Sequence, residues 1–122
     1  MKNSFLDEIH YIRIPVKNLE QSIDWYTETL GFQLRFSQKD LAVLALQSGA
    51  LYVLVKADRD SRGHFTVNGQ PVFSVGFTTK RISEFHEYLI TKNVSVESIQ
   101  ENEGHHYFHF YDLNGNKLQV HN

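Results

Sequence analysis

Apolar residues recur along this chain at two different periods, and the switches between them mark its elements. In "IHYIRIPVKNLEQSIDWYTETLGFQLRF" the alternation of Ile12, Ile14 and Val16 predicts a half-buried strand. Leu19, Ile23, Tyr26 and Leu30 then follow at helical spacing, and Gly31 stands where a left-handed stop is needed. "FSVGFTTKRISEFHEYLITKNVSVESI" runs through the same order again. Phe73, Val75 and Phe77 share one face of a strand, Ile82, Phe85 and Leu89 lie along a helix, and Asn93 takes the stop position. Ile12 matches Val75, Ile14 matches Phe77 and Leu19 matches Ile82 at one constant spacing. The pattern is an internal duplication with few identities.

Each helix is followed by further strands: "FQLRF", "LAVLALQ" and "ALYVLV" in the first half, "VSVESI", "HYFHFYD" and "KLQVH" in the second. Both halves are βαβββ modules, spanning 9–56 and 72–121. The segment 57–71 between them is polar, rich in Gly, Asn and charge, and without period, so it is expected to be a connecting loop. A module of about fifty residues buries too little surface to fold alone. The expectation is therefore a single α+β domain over 1–122.

The run "HYIRIPVKNLEQSIDWYTETLGF" resembles the opening signature of the vicinal oxygen chelate superfamily, which takes in glyoxalases, extradiol dioxygenases and bleomycin resistance proteins. "FYDLNGNKLQV" is similar to that superfamily's closing hairpin. The resemblance implies that the modules form a cup-shaped, eight-stranded mixed sheet with helices on the convex side and a ligand in the concavity. It also implies, for metal-dependent members, a ligand on the first strand of each module and a carboxylate on the last. Here those positions hold Tyr11, Ser74 and Gln119, and "ALYVLV" offers no Asp, Glu or His. The resemblance is thus nearest in character to the metal-free, bleomycin-resistance-like branch.

Strand alternation assigns the faces. With Ile12, Ile14 and Val16 toward the helix, Tyr11 and Arg13 point into the cup. With Phe73, Val75 and Phe77 in the core, Ser74 and Gly76 line it. In the closing hairpin Phe108 and Phe110 belong with Leu118 and Val120. The expected register sets Phe110 opposite Val120, Tyr111 opposite Gln119, and His109 opposite His121. Tyr107, His109, Tyr111, Gln119 and His121 then form one cup wall. The "LNGN" turn is expected to be hairpin chemistry alone.

Composition narrows the function. The chain has no cysteine, which excludes disulfides and thiolate sites, and a net charge of −2 without a basic run gives no reason to expect nucleic acid or an anionic membrane as partner. No stretch is long and apolar enough to span a bilayer, and "MKNSFLDEIHYIRIPV" lacks the features of a secretory signal, so the expected location is cytoplasmic. Four of the seven histidines fall in "EGHHYFHFYDLNGNKLQVHN". His105 and His106 are expected to face solvent, and His109 with His121 is the only pair placed to share a metal. No third ligand is evident.

The expected function is a metal-independent small-molecule-binding protein without cofactor. Its ligand is held by Tyr11, Arg13, Ser74, Tyr107, His109, Tyr111, Gln119 and His121. The alternative is a lyase-like or dioxygenase-like enzyme with a non-standard site at His109 and His121. A homodimer is expected, with Trp25 as candidate anchor because it lies off its helix's apolar stripe.

Overall fold

A computed structural model describes residues 4–122. The first module contains β1 (Tyr11–Val16), α1 (Leu19–Glu28), β2 (Gln33–Ser37), β3 (Leu41–Ala45) and β4 (Leu51–Lys56). After β5 (His64–Val67) and β6 (Gln70–Phe73), the second module contains β7 (Val75–Thr78), α2 (Ile82–Thr91), β8 (Gln100–Asn102), β9 (His105–Tyr111) and β10 (Lys117–His121). The helix boundaries follow from local chemistry. Asn18 caps α1 by accepting from the Gln21 N–H at 2.9 Å. Gly31 (φ 79°) and Asn93 (φ 60°) turn the chain into the left-handed region just beyond the two helices.

The eight strands expected of the cup are hydrogen-bonded as two sheets of four, in the related orders β1-β4-β3-β2 and β7-β10-β9-β8. In each sheet the module's first strand runs parallel to its last. Ile14, Leu54 and Ala42 form a row on the helix-facing side of the first sheet, and Ile14, Leu54 and Ala42 are all buried. Val75, Leu118 and Phe110 make the corresponding row of the second, with Leu118 and Phe110 buried. Trp25, Leu30, Val75 and Phe77 touch both apolar clusters, so the helix-facing sides of the two modules close on one another. Trp25 is half-buried at this seam, its ring edge-on to Tyr26, because its stripe continues onto the other module.

Three expectations change. Segment 57–71 is not loop throughout: β5 and β6 form a hairpin around Asn68 (φ 51°) and Gly69 (φ 77°), the pair of left-handed residues that a tight primed turn requires. Phe73 ends β6 instead of opening the second module's core strand, and its ring lies 5.4 Å from that of His109. "VSVESI" forms no regular strand; Ser95 and Glu97 make single backbone bonds to β9, and the strand proper begins at Gln100.

The closing hairpin keeps its expected faces but not its register. Leu118 lies opposite Phe110, Gln119 opposite His109, and His121 opposite Tyr107. The slip is two residues, which conserves the side each residue faces. Its cause is Asp112. One carboxylate oxygen accepts from the backbone N–H of Asn114 (2.8 Å) and Asn116 (2.9 Å), and the Asp112 N–H donates to Asn116 O, closing the turn short.

That turn also joins the modules. Asp112 accepts from the Tyr26 hydroxyl at 2.5 Å and from Asn116 Nδ2 at 2.8 Å. Asn114 Nδ2 donates to Ser22 Oγ, and its Oδ1 accepts from the Lys17 N–H. Asn116 Nδ2 also donates to Pro15 O, and Asn116 Oδ1 accepts from the Gly63 N–H. Asp112, Asn114 and Asn116 are all buried. The "LNGN" turn is therefore more than hairpin chemistry: it fills the β1–α1 junction of the other module, leaving no buried side-chain donor or acceptor unpaired among the described residues.

Candidate functional site

The side of the second sheet turned away from the helices carries Gly76, Gln119 and His109 in one row, with Tyr107 and His121 in the next. Glu97, reaching in from the segment beside β9, organises it. One oxygen lies 3.4 Å from His109 Nδ1; the other accepts from the Tyr111 hydroxyl at 3.2 Å and lies 3.5 Å from Lys117 Nζ. The second ring nitrogen of His109 lies 3.5 Å from the Gln119 amide nitrogen, and Phe73 covers the ring. Burial lowers the His109 pKa and Lys117 adds to the effect, while Glu97 opposes both. His109 is thereby held with one nitrogen toward a carboxylate and the other toward an amide donor. Glu97 had no signal in the strand alternation, since it comes from irregular chain.

The sequence-derived site is only partly assembled. Tyr107, His109, Tyr111, Gln119 and His121 share one face, as alternation required. Because of the register slip, His109 and His121 are not cross-strand partners. Instead His121 Nδ1 lies 3.1 Å from His105 Nε2, which corrects the expected pair. Tyr11 and Arg13 are exposed on the first sheet, and no hydrogen bond or ring contact links them to the second module among the described residues. Arg13 stands in the row Arg13, Val53, Val43, Phe36, an otherwise apolar outer face.

Ser74 lines a different space. Between the modules lies an open cavity of about 920 Å³, bounded by Ser74 and the whole of β7, by Ile12, Phe32 and Tyr52, and by the turn joining β3 to β4. Gly76 connects the two regions: a Cβ added there would stand 3.7 Å from the Phe73 ring and 3.9 Å from Gln119 Oε1. Among the described residues, no three His, Asp or Glu side chains are grouped as metal ligands would be. No helix among them is long and apolar enough to cross a membrane.

Paired βαβββ modules with this strand order agree with comparison to known proteins. The profile of the Glyoxalase/Bleomycin resistance protein/Dioxygenase superfamily matches residues 8–120. The chain belongs to that superfamily. No curated protein sequence matches it. Among solved structures, an integron cassette protein, HFX_CASS4, from the mobile metagenome of Halifax Harbour Sewage Outfall is 24% identical with a TM-score of 0.76, covering 95% of this chain and 98% of its own. A glyoxalase family protein from Enterococcus faecalis is 19% identical with a TM-score of 0.77, covering 98% and 100%. TnmS3, an antibiotic binding protein from Streptomyces sp. CB03234, is also 19% identical with a TM-score of 0.77, covering 97% of each chain. At these identities the likeness establishes the glyoxalase/bleomycin resistance fold, and the ligand must be argued from the side chains.

Proposed function

We propose that this member of the superfamily is a metal-independent small-molecule-binding protein whose ligand occupies the cavity between its modules and reaches over Gly76 to Gln119 and His109. The observation that carries the reading is the chemistry of the cavity wall. It offers Ile12, Leu46 and Phe77 as apolar surface and Ser48, Ser74 and Thr78 as hydroxyls, with Phe32 and Tyr52 buried behind it, and none of its lining residues is Asp, Glu, Lys, Arg or His. A charged group seated there would lose part of its water without gaining a counter-charge. The part of the ligand seated in the cavity is therefore uncharged, with apolar surface and hydrogen-bonding groups.

The donor set at the positions where superfamily resemblance implies metal ligands supports metal independence. Tyr11 is a half-exposed phenol, Ser74 an exposed hydroxyl, and Gln119 an amide already beside an imidazole. Neutral oxygens of this kind do not fit a divalent ion, which wants carboxylate or imidazole. The reading includes a cytoplasmic homodimer. The dimer is supported by the outer face of the first sheet, where Phe36 and Tyr11, in separate rows, are about half exposed. A second reading, an acid–base enzyme, draws on His109 standing between Glu97 and Gln119. Turnover lost in both His109→Gln and Glu97→Gln would favour it.

The test uses two matched probes, N-phenyl-1-naphthylamine and its sulfonated counterpart 8-anilinonaphthalene-1-sulfonate. The uncharged probe is expected to bind at least tenfold more tightly and to weaken in Thr78→Glu, which puts a carboxylate on the cavity wall. Equal or tighter binding of the sulfonate rejects the uncharged-ligand reading. Native mass spectrometry of the purified protein checks copurified ligand and subunit count together, and a bare monomer at micromolar concentration counts against the dimer.

A further inference from the structure

The open end of the β9–β10 hairpin, opposite the Asp112 turn, brings together two imidazoles that the cavity does not use. His105 Nε2 and His121 Nδ1 are 3.1 Å apart, and both side chains reach solvent. Two imidazole nitrogens bound to one ion at about 2.0–2.1 Å lie about 2.8 to 3.4 Å apart, over the range from octahedral to tetrahedral angles. The pair thus already stands at the separation of neighbouring ligands on a shared ion.

We propose that His105 and His121 form a two-imidazole site for a late first-row divalent ion, copper(II), nickel(II) or zinc(II). Strand pairing holds both backbones, since His121 lies opposite Tyr107 and His105 opposite Asn102. Tyr107 stacks on the His105 ring with centroids 5.8 Å apart and planes at 30°, restricting its rotation. Oxygen donors are close: the Asn122 carbonyl lies 2.9 Å from His121 Nδ1, and the Asn102 amide shares the His105 face of the ladder. Water completes the coordination sphere. Without the ion one of these nitrogens donates its N–H to the other; on metal binding that proton moves through solvent to the same ring's other nitrogen, which frees both lone pairs for the ion. Imidazole ligands place copper first in affinity, with nickel and zinc below it. The site shares no residue with the cavity wall or with Tyr11, Ser74 and Gln119, so it stands whether or not the ligand reading above survives.

The experiment is calorimetric titration of the full, untagged chain, freed of metal by chelator, with copper(II), nickel(II) and zinc(II) salts near neutral pH. One ion per chain is expected, copper tightest, and zinc and nickel with Kd of about 1 to 100 μM. Affinity should fall at least tenfold in His105→Ala and in His121→Ala, and should be unchanged in His106→Ala and His109→Ala. Circular dichroism establishes that each variant is folded. As a second readout in the unmutated chain, substoichiometric copper(II) should broaden the imidazole resonances of His105 and His121 before those of the other histidines. Absence of saturable binding overturns the proposal. So does one-to-one binding that persists without His105 or depends on His109, or first broadening at other imidazoles.

Discussion

Replacing Asp112 by alanine tests the junction between the modules most directly. Its carboxylate accepts four hydrogen bonds, from Tyr26 and Asn116 side chains at 2.5 and 2.8 Å and from the backbone of Asn114 and Asn116 at 2.8 and 2.9 Å. Each buried donor left unpaired costs about 1–3 kcal/mol. Some of that is recovered, because water can enter the space left by the carboxylate. A net loss of about 3–5 kcal/mol follows for Asp112→Ala, a large part of the roughly 5–15 kcal/mol that holds a domain together. Asp112→Asn keeps one acceptor oxygen but sets its amide against Asn116 Nδ2, and should lose about 1–3 kcal/mol. Leu113→Ala, exposed in the same turn, should stay within about 0.5 kcal/mol. The assay is urea unfolding followed by far-ultraviolet circular dichroism and by fluorescence of Trp25, the only tryptophan, which sits at the seam. A loss below about 1 kcal/mol for Asp112→Ala would refute the argument, because it would mean that water serves the four donors as well as the carboxylate does.

Two further outcomes follow from the core. Burial holds the phenols of Tyr26 and Tyr52 well above the usual range; since the folded state keeps these protons longer than the unfolded state, stability is complete below about pH 10 and falls above it by about 1.4 kcal/mol per pH unit for each tyrosine. Phenolate absorbance should show two of the six tyrosines titrating only with unfolding, and six titrating together in folded protein would count against it. Phe110→Ala should lose about 3–5 kcal/mol in urea unfolding as a core truncation, whereas His109→Ala, on the opposite face of the same strand, should stay within about 1 kcal/mol; comparable losses would mean the faces are assigned wrongly.

The faces of the strands were legible in the chain because alternation is local: Ile14 and Val16, or Phe108 and Phe110, declare their side within a few residues. Register is set by the turn, and the turn by Asp112 accepting from Asn114 and Asn116, a competition that hydrophobic pattern does not record. The β5–β6 hairpin had its signal in plain view, since Asn68-Gly69 is the pair a primed turn selects, but the flanking strands are largely exposed and carry little apolar alternation. Glu97 and the His105–His121 contact were hidden for another reason. Both depend on which side chains meet after the sheet is laid down, one from an irregular segment and one across a diagonal of the ladder. The dual role of the closing turn is the same case on a larger scale, for its partners lie in the other module.

The bonds from that turn span most of the chain: Asp112 meets Tyr26 across 86 residues, Asn114 meets Ser22 across 92, and Asn116 meets Pro15 across 101. A protein is made from its N-terminus, so the first module leaves the ribosome well before its closing partners exist. Ser22 and Tyr26 are fully buried in the finished molecule, and until residues 112–116 emerge Ser22 lacks its Asn114 partner and Tyr26 has Tyr52 but not the Asp112 carboxylate. The duplicated halves are thus not equal in time. The earlier half completes its interior only when the later half delivers its last hairpin, so the native interior rests on contacts of long sequence separation.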